Sequence, residues 1–238
     1  MPVGEDIFRF KRFDIIQNHS VHRVGTDGVL LGAWIDIIGA RKILDVGTGT
    51  GVIALMLAQR TEGIPSITAL EPDVNAYELA VRNIRSSEFS GSIEVINKRV
   101  QDFEHTKFDL IVCNPPFFIN SLKPPTDSRA RQRHSVDLSH EDLVKTATSL
   151  LTPEGKLGLV LPFDEGNSFI QVAGNFDLHL SKRCDVYAKA GKDPKRYLLQ
   201  LSLMPTNQIE KTSLTIMQST GEWTSEYKSI TREFYFEF

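Results

Sequence analysis

A glycine-rich loop between a buried strand and a helix constrains the fold of this chain more than any other feature. The run KILDV (residues 42–46) is apolar and β-rich, and GVIALMLAQR (51–60) carries apolar residues at helical spacing. Between them lie Gly47, Gly49 and Gly51. Glycine lets the backbone approach a ligand closely, and the helix that follows points N–H groups at it. The loop predicts an α/β fold with a cofactor site after its first buried strand.

The rest of the chain repeats this alternation of short apolar runs and helical patterns. We predict further strands at 66–71, 93–103, 108–116, 156–162, 196–204 and 213–218, and helices at 73–87, 139–155 and 164–176. Asp73 and Ser139 are placed to cap two of these helices. The pattern is typical of a mostly parallel central sheet with helices on both faces. Residues 1–40, a strand-like segment and a helix from about 27 to 38, are expected to pack on the larger domain at 41–238.

Bulk properties narrow the class of protein. A chain of 238 residues with 41% apolar residues is long enough for one large α/β domain. A net charge of −3 means that any nucleic-acid binding must come from local patches. The two cysteines lie far apart, no apolar signal segment opens the chain, and Asp36 interrupts the longest apolar stretch. We therefore expect a cytoplasmic protein without a membrane span. The six histidines show no metal-ligand spacing with the two cysteines, so no metal site is expected. The oligomeric state stays open, with a monomer favoured.

The spacing of the glycines separates two classes of cofactor. A dinucleotide fingerprint requires G-x-G-x-x-G, but this loop reads G-x-G-x-G with Val52 in place of the third glycine, which disfavours an NAD-dependent oxidoreductase. Glu71 ends the second strand, where a carboxylate can accept hydrogen bonds from both hydroxyls of a ribose. The loop and this acid together predict a site for a nucleoside-containing cofactor.

A second motif, CNPPFF (113–118), follows the apolar run FDLIV. Two prolines remove two backbone donors and fix two φ angles, so the chain leaves the strand in a stiff turn. Pro115 and Pro116 hold an amide, Asn114, at one end of this turn and an aromatic ring, Phe117, at the other. A tight turn with core phenylalanines is the plain interpretation of this motif.

Both motifs resemble those of class I methyltransferases that use S-adenosylmethionine: the loop resembles (D/E)xGxGxG, and the turn resembles (N/D)PP(Y/F/W), found where a planar amine is methylated. The resemblance implies that the Asn114 oxygen and the Pro115 carbonyl accept the hydrogens of the amine, that Pro116 stiffens the turn and that Phe117 stacks on the base. It implies that Asp45 lies near the methionine ammonium of the cofactor and Asp102 near its adenine amino group. The implied cofactor residues are Asp45, Gly47, Thr48, Gly49, Gly51, Glu71, Pro72 and Asp102.

Outside these motifs, the chain resembles the bacterial tRNA (adenine-N6)-methyltransferase family that acts on adenine 37 of valine tRNA. The resemblance spans the chain: F-x-F-x-x-F-x-I-x-Q near the start, VGTDGVLLGAW, NPPFF, RxxxRH, KDPKRYLLQL and the ending TREFYFEF. It implies a tRNA substrate and places Thr26 and Asp27 over the cofactor; the alternative is that these two residues cap the helix that follows.

Local basic clusters agree with an RNA substrate, although each cluster can equally be a solvated loop. The candidate RNA contacts are Arg9, Lys11, Arg129, Arg131, Arg133, Lys192, Lys195 and Arg196. The phenylalanines at 8, 10 and 13 are interpreted as a partly buried strand edge, in preference to stacking platforms.

Three other functions remain open. A protein glutamine-N5 methyltransferase shares the NPP motif, but about forty residues precede the glycine loop here, too few for that family's N-terminal domain. A ribosomal RNA guanine-N2 methyltransferase commonly carries a second domain, for which this chain has no room. A non-catalytic RNA-binding protein on the same fold is disfavoured by the intact loop acid, glycines and Asn114.

Overall fold

The computed structural model describes residues 5–18, 21, 23–104, 106–115 and 138–236. Ten strands and six helices lie in these ranges. The strands are β1 (Glu5–Arg9), β2 (Asp14–Asn18), β3 (Lys42–Val46), β4 (Ser66–Leu70), β5 (Ile93–Ile96), β6 (Phe108–Cys113), β7 (Leu151–Pro162), β8 (His179–Lys189), β9 (Pro194–Ser202) and β10 (Glu210–Met217). The helices are α1 (Thr26–Trp34), α2 (Val52–Arg60), α3 (Val74–Arg85), α4 (His140–Leu150), α5 (Phe163–Gly174) and α6 (Ser225–Thr231), with a 3-10 turn at Val100–Asp102.

Eight strands form one sheet in the order β5-β4-β3-β6-β7-β9-β8-β10. Of these described strands, β9 alone runs antiparallel to its neighbours. The mostly parallel α/β fold predicted from the sequence is confirmed. We call the edge at which β3 to β7 end the carboxyl edge and the opposite one the amino edge. Ligands of open α/β sheets bind at the carboxyl edge.

Both faces of the sheet are covered by helices, as the sequence pattern predicts. Successive side chains of a strand point to opposite faces. Ile43 accordingly packs in the core cluster that includes α1 and α2, whereas its neighbour Leu44 packs in the cluster that includes α4 and α5. These side chains are fully buried, and burial of each stabilises the fold by about 2 kcal/mol.

The N-terminal segment is a hairpin of two strands, β1 and β2, rather than a single strand-like segment. Asn83 of α3 attaches it to the sheet domain. Its Nδ2 donates to the carbonyls of Ile16 (3.0 Å) and Thr50 (2.9 Å), and its Oδ1 accepts from the N–H of Ile16 (2.9 Å). Phe8 is half-buried in β1, as predicted for a partly buried strand edge, whereas Phe10 and Phe13 lie in the turn of the hairpin and are buried.

The predictions for both ends of helix α1 are wrong. Its N-cap is Gly25, without a side-chain capping bond, so the interpretation of Thr26 and Asp27 as a capping pair is wrong. The helix ends at Trp34, not near residue 38. The guanidinium of Arg60 donates to the carbonyls of Gly32 (2.9 Å) and Ile35 (2.8 Å). These bonds satisfy carbonyls that the last helical turn leaves without intrahelical partners.

Other predicted elements are also too long, among them the strand predicted at 108–116, which ends at Cys113. The strand predicted at 93–103 ends at Ile96, because Asn97 turns its side chain to the carbonyls of Glu71 (2.8 Å) and Pro72 (3.1 Å). The helix predicted to residue 155 ends at Leu150. Pro153 disfavours helical backbone at the residue before it, and β7 begins at Leu151. The predicted capping bonds of Asp73 and Ser139 are confirmed.

The strand β8 and the helix α6 were not predicted. β8 reads HLSKRCDVYAK and is mostly half-buried, so it lacks both a continuous apolar run and a clean alternation. α6 has seven residues and is capped by Thr224, whose hydroxyl accepts from the N–H of Tyr227 (3.2 Å). An element this short contains about two helical turns, too few to establish a period.

Candidate active site

The glycine loop lies at the carboxyl edge, where it is fixed to the end of β4. The N–H groups of Gly47 (2.9 Å) and Thr48 (3.0 Å) both donate to the carbonyl of Leu70. Gly47, Gly49 and Gly51 all have positive φ angles, of 69°, 58° and 85°, a conformation that other L-residues adopt at a cost. A Cβ at Gly47 or Gly49 would meet no described heavy atom within 4 Å. The loop therefore leaves open space beside it that a ligand can occupy.

Glu71 joins this loop to the next strand. One carboxylate oxygen accepts from the N–H of Gly49 (2.8 Å), and the other accepts from the N–H of Asp73 (3.0 Å). Burial raises the pKa of Glu71, although both backbone hydrogen bonds lower it. Each carboxylate oxygen has a second acceptor site, so Glu71 can still accept hydrogen bonds from a ligand.

Asp45 lies beneath the loop and is fully buried. Its Oδ2 accepts from the hydroxyl of Thr48 (2.6 Å), whereas Oδ1 accepts no hydrogen bond of ordinary geometry from the described residues. Burial raises the pKa of Asp45 to about 7; the Thr48 hydroxyl and the nearby N–H of Ala54 lower it, and the charge of Glu71 raises it. The site therefore contains a buried carboxyl with unused acceptor capacity.

Asn114 follows β6 at the same edge. Its Oδ1 is buried and accepts no hydrogen bond from the described residues. Pro115 is buried as well. The preceding Cys113 is a buried free thiol, and burial raises its pKa far above the ordinary range, which agrees with a packing role. Pro116 and Phe117, also predicted for this turn, lie outside the described residues.

Helix α1 brings the N-terminal segment to the turn that follows β6. A Cβ added at Gly28 would lie 3.6 Å from Nδ2 of Asn114, so the first turn of α1 packs beside the amide. Asp27 is in an ion pair: its Oδ2 accepts from Nε of Arg196 at 2.9 Å. Thr26 is exposed. Two residues predicted for different ligands, Asp27 for the cofactor and Arg196 for RNA, therefore contact each other.

The remaining predicted cofactor residues lie in the loops that follow β4 and β5. Pro72 is half-buried, and its carbonyl is bonded to Asn97. Asp102 is exposed at the end of the 3-10 turn. The contributions of Asn97 and Gly28 were not predicted from the sequence. An asparagine directly after an apolar strand is a signal that could have indicated Asn97, whereas nothing local indicates the contact of Gly28 with Asn114.

The basic residues separate between the two edges. Lys192 and Lys195 are exposed near the turn between β8 and β9, and Arg196 pairs across strands with Pro162, the last residue of β7, at the carboxyl edge. Lys11 instead donates to the carbonyl of Arg232 (2.5 Å). Arg9 is exposed at the end of β1. The predicted contacts Arg129, Arg131 and Arg133 lie outside the described residues.

The neighbour of Lys11, Arg12, shows where this N-terminal cluster lies. It forms ion pairs with Glu62 (2.9 Å) and Glu88 (3.0 Å), in loops that enter β4 and β5. The N-terminal basic cluster therefore lies at the amino edge.

In the described ranges, no group of three or more His, Cys, Asp or Glu side chains is arranged to hold a metal ion. No described helix is both long and apolar enough to cross a membrane.

Known proteins place this arrangement in a family. The methyltransferase small domain family matches residues 22–176. A tRNA1(Val) (adenine(37)-N6)-methyltransferase of Tolumonas auensis is 40% identical over 98% of this chain and 98% of its own length. The enzyme of the same name from Parabacteroides distasonis is 41% identical over 96% and 97%. The chain belongs to the tRNA1(Val) (adenine(37)-N6)-methyltransferase family.

Solved structures with much lower sequence identity share the fold of this family member. A predicted O-methyltransferase from Agrobacterium tumefaciens superposes with a TM-score of 0.65 at 18% identity, covering 87% of this chain and 96% of its own. A methyltransferase from Pyrococcus furiosus gives a TM-score of 0.53 at 20% identity, covering 76% and 87%. These similarities support the class I methyltransferase fold, and the protein is a methyltransferase.

Proposed function

We propose that this protein transfers the methyl group of S-adenosylmethionine to the exocyclic N6 of an adenine in tRNA, adenine 37 of valine tRNA. The observation that carries this function is the buried Oδ1 of Asn114, an acceptor without a described donor at the carboxyl end of β6. A buried acceptor without a partner costs about 1–3 kcal/mol. An adenine amino group would supply the missing donor.

The residues around the glycine loop fit the cofactor. The open space beside Gly47 and Gly49 admits its chain, and the buried carboxyl of Asp45 has acceptor capacity for its ammonium. Glu71 can accept hydrogen bonds from the ribose hydroxyls of the cofactor. Asp102 would accept a hydrogen bond from the amino group of the cofactor's own adenine. Gly51, Thr48 and Pro72 shape the loops, and Thr26 and Asp27 would approach the cofactor from α1. When bound, S-adenosylmethionine supplies an electrophilic methyl group on a sulfonium.

Catalysis rests on alignment of the amine. The nitrogen donates two hydrogens, one to Oδ1 of Asn114 and one to the carbonyl of Pro115, which orients it and raises its electron density. The turn is stiffened by proline, so these acceptors are placed before the substrate arrives, which lowers the entropic cost of alignment. No strong base is required, because the extra proton of the nitrogen becomes acidic only after it has attacked. The predicted role of Phe117 is to stack on the base.

A loop adenine is a suitable substrate for this arrangement. Enzymes that modify the amino group of a base must take the base out of its stack, which costs least where the base is unpaired. Sequence-specific recognition of RNA also favours single-stranded loops. An adenine of the anticodon loop satisfies both conditions.

The test is transfer of tritiated methyl from S-adenosylmethionine to bacterial tRNA that lacks this modification, with mass spectrometry of the nucleosides. We expect N6-methyladenosine at one position of valine tRNA. Asn114→Ala should lower kcat by on the order of 100-fold or more, the cost of removing one preorganised hydrogen-bonding group. Asn114→Asp, which keeps acceptor oxygens, should retain a larger part of the activity, and both variants should bind S-adenosylmethionine like the wild type.

The alternatives give different results in the same assay. Binding of S-adenosylmethionine without methylated tRNA would direct the search to protein glutamine and ribosomal RNA substrates. Binding of tRNA without binding of S-adenosylmethionine would support the non-catalytic RNA-binding protein. Either result would refute the proposed reaction.

A further inference from the structure

The turn between β8 and β9 is held in place at the carboxyl edge. β8 ends at Lys189 and β9 begins at Pro194, and the turn between them includes Gly191 with a φ of 76°. The N–H of Lys192 donates to the carbonyl of Lys189 (3.2 Å), and the N–H of Ala190 donates to the carbonyl of Met217 at the end of β10 (2.9 Å). The turn is therefore a fixed surface at the edge that carries Asn114.

The lysines of this turn have no acidic partner among the described residues. No described acid forms an ion pair with Lys189, Lys192 or Lys195, whereas Arg12, Arg23 and Arg82 are each paired with acids. The turn contains a single acid, Asp193, which is exposed. The turn therefore presents three cations whose charge is not neutralised by the described part of the protein.

An exposed indole lies next to the end of β10, the strand that binds this turn. Trp223 is 38% exposed and bridges to Met217, whose carbonyl binds the β8–β9 turn. Its ring stacks on Tyr227, with centroids 4.9 Å apart and an interplanar angle of 25°. An indole supported in this way remains in place as a platform, and aromatic platforms beside cations are typical of single-stranded nucleic-acid sites.

The spacing of the strands gives the reach of this surface. Neighbouring strands lie about 4.8 Å apart. β9 is two strands from β6, which ends at Asn114, and β10 is four strands away. Trp223 pairs with Met217 on the side of β10 away from β8, one strand spacing further out. The surface therefore extends from about 10 Å to about 24 Å to one side of the catalytic amide. This reach covers nucleotides that flank a target base without overlapping it.

We infer that Lys189, Lys192, Lys195 and Trp223, the hairpin platform, bind the anticodon arm of the tRNA next to the flipped adenine. This rests on the proposed function, which supplies an RNA bound at Asn114. The lysines contact phosphates, and Trp223 stacks on an unpaired loop base. Arg196 is not part of the platform, because its guanidinium is paired with Asp27 and holds the base of the hairpin against α1.

The first experiment measures RNA binding without S-adenosylmethionine. A labelled anticodon stem-loop is titrated with the wild type and with the triple variant Lys189→Ala, Lys192→Ala, Lys195→Ala at several salt concentrations. The slope of log K against log salt should fall by about 2 to 3, close to one unit for each phosphate that the variant no longer neutralises. The matched control is Arg41→Ala, Arg85→Ala, Lys211→Ala, which removes the same charge from exposed positions nearer the amino edge and should leave the slope unchanged.

The second experiment tests Trp223. Trp223→Ala should weaken binding about tenfold, within the range for loss of one stacked base, and Trp223→Phe should restore most of it. In a Trp34→Phe background Trp223 is the sole tryptophan of the chain, so RNA should quench the remaining fluorescence. Circular dichroism of each variant checks that the fold is retained.

Steady-state kinetics separate this inference from the proposed function. Loss of the platform should raise KM for tRNA about tenfold or more while kcat and the affinity for S-adenosylmethionine stay unchanged. If the wild type methylates tRNA and the triple variant keeps its KM and salt slope, the platform is refuted and the proposed function stands. If RNA binding depends on the platform but no tRNA is methylated, the platform stands and the proposed function fails.

Discussion

The two edges of the sheet contain similar polar residues but differ in whether these residues are satisfied within the protein. At the amino edge, Oδ2 of Asp109 accepts from the N–H groups of Arg41 (2.9 Å) and Lys42 (3.0 Å). Nζ of Lys156 forms an ion pair with Oδ2 of Asp36, at 2.5 Å. At the carboxyl edge, Oδ1 of Asn114 is buried without a described donor, and the glycine loop borders open space.

The difference shows which edge binds a ligand. A cleft at the amino edge is lined by Asp36, Asp109 and Lys156, but Asp36 and Lys156 are paired with each other and Asp109 accepts two backbone hydrogen bonds. Buried acceptors without partners reduce stability by about 1–3 kcal/mol each. At Asn114 and Asp45 of the carboxyl edge, substrate and cofactor are expected to offset that cost. The Oε1 atoms of Gln59 and Gln200, which also accept no hydrogen bond from the described residues, lie nearer the amino edge.

The largest expected effect concerns Asp45 at the carboxyl edge. Its pKa rises from 3.8 to about 7 on folding, so the folded state holds a proton that the unfolded state has lost. Stability should therefore fall as pH rises through this range, by about 3 kcal/mol between pH 5 and pH 8. Asp45→Asn keeps an acceptor for the Thr48 hydroxyl but cannot titrate. The variant should therefore not show the loss of stability between pH 5 and pH 8 that comes from Asp45. Urea unfolding of both proteins at the two pH values measures it.

Glu71 also has a raised pKa, so the variant should keep a smaller dependence of the same sign. If the unfolding free energies of the wild type and Asp45→Asn depended equally on pH, the pKa of Asp45 would not be raised by folding. The contrast between the edges would then rest on Asn114 and the glycine loop alone.

The second prediction compares two glycines, one at each edge. Gly49 (φ 58°) and Gly39 (φ 79°) both have positive φ and no described atom within 4 Å of an added Cβ. Alanine should cost about 1–2 kcal/mol of unfolding free energy at either position. Gly49→Ala alone should weaken S-adenosylmethionine binding, by about 100-fold, because the methyl group displaces the ligand from its alignment. Calorimetric titration and thermal melting measure the two effects, and equal affinities in both variants would contradict a ligand at Gly49.

The third prediction takes the opposite case, a glycine that is required for packing. A Cβ at Gly155 would lie 2.9 Å from the carbonyl oxygen of Phe108 and 3.0 Å from the N–H nitrogen of Thr152, both backbone atoms. Gly155→Ala should therefore cost about 1–3 kcal/mol in unfolding free energy while the affinity for S-adenosylmethionine stays unchanged. Gly174→Ala, where an added Cβ meets no described atom within 4 Å, is the control and should be nearly neutral.

Much of this fold could be predicted from the sequence because its signals are local. The glycine loop, the capping bonds of Asp73 and Ser139 and the buried strands β3, β4 and β6 each follow from patterns within about ten residues. β8 could not be predicted in the same way, because its half-buried side chains reflect its position near the edge of the sheet. Its partners β9 and β10 are decided by tertiary structure.

The site likewise contains residues that local patterns predict and contacts that they do not. Asn114 and the glycine loop could be predicted because their turns contain residues with special backbone properties, two prolines in one and three glycines in the other. The pair of Asp27 with Arg196 joins residues 169 positions apart, and the contact of Gly28 with Asn114 crosses 86 positions. Charge patterning assigned Arg196 to RNA because a sequence shows a cation without showing its partner. Pairing in the folded state separates Arg196 and Lys11 from the lysines of the β8–β9 turn.

The smallest expected effect concerns Asp109 at the amino edge, where the sign of the pH dependence is reversed. Burial alone would raise the pKa of Asp109, but the N–H groups of Arg41 and Lys42 and the hydroxyl of Thr152 lower it overall. A carboxyl with a lowered pKa stabilises the fold above its unfolded pKa and loses that contribution as the pH falls through its folded pKa. Asp109→Asn should therefore destabilise the protein by about 1 kcal/mol at pH 7 and by less near pH 3. Asp45→Asn should show its largest effect above pH 7 instead, so opposite pH trends in the two variants would confirm that the two edges differ in kind.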